Sequence, residues 1–155
     1  MIKRALSTLF SVLHYVSGGG SWRLQTHERQ LLGACADSLP EGIQSQIKKQ
    51  LDAGFFIERT LGGRINVIHK NEKPESHRIN DPEFDDALFK VRAEVDGKNL
   101  TANITFYKGF LFGLETKKPT KFFRNKPLII RGVAKGKPKE TYTAAIDRLE
   151  HGREV

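Results

Sequence analysis

Nine cations fall within 23 residues of this chain: Lys117, Lys118, Lys121, Arg124, Lys126, Arg131, Lys135, Lys137 and Lys139, with no acid between them. Ammonium and guanidinium groups at that density neutralise phosphates or pair with carboxylates. The chemistry on offer is therefore recognition of a polyanion or of an acidic protein surface. Phe122 and Phe123 sit in their midst, and an exposed aromatic among cations is an arrangement that stacks on an unpaired base. The excess is regional. Between Lys98 and Lys139 there are eleven basic residues and one acid, Glu115, a net +10 in a chain whose total is +8, so the rest is net negative by two.

Other groups capable of chemistry are scattered. The histidines, His14, His27, His69, His77 and His151, form no metal-binding or metalloprotease spacing. His69 and His77 flank Glu72 and Glu75, where an imidazole beside carboxylates would serve a small hydrolase, but a polar surface loop accounts for them better. Asp81, Glu83, Asp85 and Asp86 lack the spacing of a calcium loop and are expected to cap turns, or to answer the basic loops by attraction. The lone Cys35 lies in the apolar helical stripe of Leu31, Leu32 and Leu39. It reads as a small buried hydrophobe, and it excludes an internal disulfide framework and a thiolate metal cluster. No nucleophile elbow, phosphate loop or dinucleotide glycine pattern is present. These readings predict a non-enzymatic binding protein with no cofactor and no metal, engaging nucleic acid or an acidic protein through residues 117–139. A protein inhibitor or toxin-neutralising immunity protein is the alternative from another class.

The elements that must hold this segment follow from periodicity. Alternation of Phe89, Val91, Ala93 and Val95 with polar residues predicts one strand, and Leu100, Ala102, Ile104 and Phe106 a second across the turn Asp96-Gly97-Lys98-Asn99. Phe110, Phe112 and Leu114 continue the pattern on a third, and Leu128 to Val133 give a fourth, between a proline-bounded basic loop (116–127) and a second basic loop (134–140). Further upstream, Thr26 is placed to cap one helix. Pro40 opens another with Ile43, Ile47 and Leu51 inward, Gly54 ends it, and LGGR turns a hairpin over 55–70. The expected architecture is a single α+β domain over residues 1–155. About four antiparallel strands (roughly 88–133) are packed by helices, with an amphipathic helix at 2–16, the helix-helix-hairpin at 26–70, an acidic loop at 71–86 and a last helix at 141–151.

The order helix, helix, hairpin resembles a winged helix-turn-helix, and QLDAGFFIERTLGGR is similar to the passage from its second helix into its wing. That resemblance implies DNA binding, with Gln44, Gln46, Lys48 and Lys49 facing the groove and Arg59 and Arg64 on the backbone. Residues 1–21 superficially resemble an export signal. However, their apolar positions recur on one helical side, as in an amphipathic helix. No run reaches the length of a membrane span, so a cytoplasmic location without membrane contact is expected.

Overall fold

A computed structural model describes residues 23–60, 62–69 and 75–137. The helices expected at 2–16 and 141–151, together with Lys139, lie outside them. The described chain folds as α1 (Thr26–Asp37), α2 (Glu41–Asp52), β1 (Phe55–Arg59), β2 (Arg64–His69), β3 (Asp86–Val95), β4 (Lys98–Tyr107), β5 (Phe110–Glu115) and β6 (Leu128–Gly136). All neighbouring strands are antiparallel, in the order β1-β2-β5-β4-β3-β6. The α+β class stands as expected, but the sheet has six strands rather than four. The hairpin is not separate: β2 pairs with β5, Arg64 opposite Glu115 and Ile65 opposite Leu114, which extends one core across both halves. No helix among the described residues is long and apolar enough to cross a membrane.

Period-two alternation buries Phe89, Val91, Ala93 and Val95 of β3 and Leu100, Ala102, Ile104 and Phe106 of β4 on one face. Leu31, Leu32 and Cys35 of α1 and Ile47 of α2 join the same core. Burial pushes the Cys35 thiol up to about 12, so it stays protonated at neutral pH. Both links of the β3-β4-β5 meander are two-residue turns with positive φ at each position: Asp96 (53°) and Gly97 (73°), then Lys108 (50°) and Gly109 (76°). That geometry matches the twist of the strands it joins.

Local patterning misplaced three features. In β5 the alternation breaks at a bulge, so Leu111 faces Phe106 and Leu114 faces Ile104 in the core. Phe112 is left half-buried, edge-on to Tyr107 at 6.2 Å on the other side. A side-chain anchor holds the shift: Gln50, itself buried, accepts the Leu111 N–H at 2.8 Å and donates to the carbonyls of Gly109 (2.9 Å) and His77 (2.8 Å). In β6 the strand runs on to Gly136, so Lys135 belongs to it and not to a loop. Finally, Gln25 rather than Thr26 is the N-cap of α1, and its N–H donates to the Glu28 carboxylate at 2.7 Å.

Candidate basic docking edge

The chain leaves β5 in the interior of the sheet and returns at its far edge, so residues 116–127 must cross the ends of β4 and β3. Two anchors fix that crossing. At its start, Thr116 N–H donates to the Gly63 carbonyl (2.9 Å) while its hydroxyl bonds both that oxygen and Lys118. Gly63 sits at φ +80°, and a Cβ there would lie 2.0 Å from the Lys118 carbonyl oxygen, so only glycine permits the approach. In the middle, a short 3-10 turn, Thr120–Phe123, inserts Phe123 into the core. Its ring stacks face to face on His27 of α1, centroids 4.0 Å apart and 1° from parallel.

Neither aromatic is therefore presented to solvent as base stacking would require. Phe123 is buried, and Phe122 is half-buried, edge-on to Phe123 at 5.2 Å. Lys118 and Lys126 place their ammonium groups 5.4 and 5.3 Å from the Phe122 ring centroid. The ring positions cations by attraction to its π face.

The remaining expected residues are exposed, along the loop or down β6. Lys117, Lys121, Arg124 and Lys137 have no acid partner among the described residues. Lys126 pairs with Asp96 (3.3 Å), Arg131 with Glu94 (2.6 Å) and Lys135 with Glu83 (2.7 Å). Such exposed pairs contribute about 0–1 kcal/mol each, so another carboxylate can replace the internal one at little cost. The Glu83–Lys135 pair is the attraction between acidic segment and basic edge that the sequence suggested. Asp81 caps the turn at Pro82–Phe84, and Asp85 pairs with Arg78 at 3.2 Å. No three His, Cys, Asp or Glu side chains among the described residues are placed to hold a metal.

β6 lies at the edge of the sheet, and Ile129 and Ile130 are exposed there by 45% and 37%. A bulge opposite Arg92/Ala93 governs its two faces. It lets Leu128, Ile130 and Val133 register with Val95, Ala93 and Val91 on the core face, while Ile129, Gly132 and Ala134 register with Glu94, Arg92 and Lys90 on the other. A Cβ on Gly132 would sit 3.4 Å from Arg92 Nη2, and one on Gly136 3.2 Å from Lys90 Cε. Arg92 and Lys90 thus extend from β3 over the backbone of β6. Sequence reading missed them because each looks like an ordinary solvent-face residue; the signal is the run of small residues Gly132, Ala134 and Gly136. Arg92 and Arg131, with Asn99 and Thr101, also line an open groove of about 500 Å³ on this face.

The residues assigned to a winged-helix surface are dispersed. Arg59 is 11% exposed and spent on a two-pronged ion pair with the buried Glu28, Nε to Oε1 2.8 Å and Nη2 to Oε2 2.7 Å. Arg64 donates to Asn66 in the sheet, and Gln44 to the Leu39 carbonyl. Gln46 is half-buried, leaving Lys48 and Lys49 exposed. Of the hydrolase residues, His77 Nδ1 is buried without a hydrogen-bond partner, and the His69 side chain lies outside the description. A crevice lined by His27, Glu28 and Arg59 holds about 10 Å³, room for about one water. Comparison with protein-family models, curated proteins and solved structures finds no match to the chain.

Proposed function

We propose that the protein is a non-enzymatic binding protein whose basic loop and β6 edge engage an acidic surface of another protein. The observation that carries this reading is that β6, an edge strand, exposes an apolar side chain on each of its faces, Ile129 on one and Ile130 on the other, next to the cations Arg131 and Lys135 of the same strand. Exposed apolar side chains flanked by cations along one edge suit a protein surface, whose contacts combine apolar and polar groups. Single-stranded nucleic acid would call for cations with free aromatic faces, and here Phe123 is buried and Phe122 carries two lysines.

The test compares two labelled ligands across a salt series: a peptide of alternating glutamate and valine, and a single-stranded oligonucleotide of equal charge. Tighter binding of the peptide at physiological salt, weakened by Lys117→Glu, Lys121→Glu and Arg124→Glu together, supports the reading. Tighter binding of the oligonucleotide, with a salt slope of about 0.9 or less per phosphate contact, would replace it by the nucleic-acid reading.

A further inference from the structure

Resting on that reading, we propose how the partner is held: an extended acidic segment adds to β6 as a seventh strand, its carboxylates meeting Arg92, Lys90 and Arg131 on one face and its apolar residues meeting Ile130 on the other. The strand order leaves the outer side of β6 without a neighbouring strand among the described residues. A strand of nine residues, Leu128–Gly136, offers its backbone groups as a template there.

An added strand alternates its side chains between two faces, and the two faces of β6 differ in chemistry. On the core side the rim shows Ile130 between Leu128 and Val133, with Lys135 further along opposite Phe89, so the residue that complements Ile130 is apolar. On the opposite side, past Ile129, Gly132 and Gly136 carry no side chain; the Arg92 guanidinium lies over the first, and Leu88 and the Lys90 stem lie over the second. Side chains lying over the edge strand bring their charge beside the row where the next strand's side chains would stand. Arg131, the extra residue of the bulge, adds a third cation whose bond to Glu94 is exposed. The preferred segment therefore alternates acid and hydrophobe. Charge also disfavours the obvious rival, a second copy of this chain: β6 against β6 would bring this set of cations up against a second set of the same cations.

The experiment uses the full chain and a fluorescent peptide of about eight residues alternating Val and Glu. Two derivatives carry N-methyl groups, one on every Glu amide and one on every Val amide. Residues of one face present their N–H groups to one side, so one derivative blocks the bonds to β6 and the other spares them. The expected result is an affinity loss of about tenfold or more for one derivative, with the other near the parent. Equal affinity of the two derivatives would overturn strand addition while leaving the acidic-surface reading intact. No binding of the parent peptide would overturn both. Gly132→Val, which pushes the Arg92 guanidinium aside in a strand that tolerates valine, is expected to weaken the parent about fivefold without changing the melting temperature. Unchanged affinity would remove Arg92 from the site. Sedimentation showing a dimer that Ile130→Lys dissociates would assign the edge to a second copy and overturn the proposal.

Discussion

Two Arg–carboxylate pairs sit at opposite margins of one sheet and have opposite uses. Glu28 and Arg59 join the start of α1 to the end of β1, with side chains 2% and 11% exposed. Each Glu28 oxygen is engaged by Arg59, and Oε2 also accepts the Gln25 N–H. Arg131 and Glu94 join β6 to β3 with 55% of the arginine in solvent. Desolvation makes the difference. A buried pair cannot be parted without stranding a charge, whereas an exposed one exchanges partners freely. The first fastens the fold, and the second leaves its cation available to another molecule.

The largest expected effect tests the buried side of this contrast. Glu28→Ala should lower stability by about 3–5 kcal/mol, measured by denaturant melts, with the double variant Glu28→Ala/Arg59→Ala losing less than the sum of the single variants. Additive losses would show that the pair is not coupled. Next, Phe123→Ala should cost about 3–4 kcal/mol by emptying a core site. Phe122→Ala, in the neighbouring half-buried position, should cost about 1–2 kcal/mol. Equal losses would mean that both rings serve the core alike. Arg131→Ala should change stability by less than about 1 kcal/mol while weakening acidic-peptide binding; a larger loss would make it structural like Arg59.

A smaller effect concerns pH. Burial chiefly, opposed by Glu28 and aided by Arg59, holds the His27 imidazole below its ordinary value of 6.5. The unfolded chain then binds the proton more readily than the folded one. The stabilisation is complete above about pH 6.5 and is lost as pH falls through the folded value below it. The melting temperature should decline on acidification from pH 7 to 5.5, and less steeply in His27→Phe. An identical decline in the variant would acquit His27. Smallest of all, an alkylating agent at pH 8 should leave Cys35 unmodified in the native protein and label it in denaturant.

These contrasts track what the amino-acid order encodes locally. β3 and β4 were legible because one buried face imposes strict alternation on Phe89 to Val95 and on Leu100 to Phe106. The six-stranded sheet was not, since pairing Ile65 with Leu114 depends on register between distant segments. The bulge in β5 was hidden for the same reason, its anchor Gln50 lying far upstream on α2. Within the basic segment, the cations and their bounding prolines could be read directly. That Phe123 would stack on His27, and that Arg92 would cross a gap left by Gly132, are facts of juxtaposition that no local pattern contains.

The long crossing from β5 to β6 also has a consequence in time. The β3-β4-β5 meander closes through two-residue turns, so its contacts are local and form early. β6 can join only after residues 116–127 have been drawn over the strand ends and Phe123 has been seated. It should therefore dock after the meander and open before it, with amides that exchange sooner than those of β4. Until it arrives, β3 is itself a bare edge, and a newly made chain passes through a period in which the strand carrying Val91 and Val95 awaits its cover.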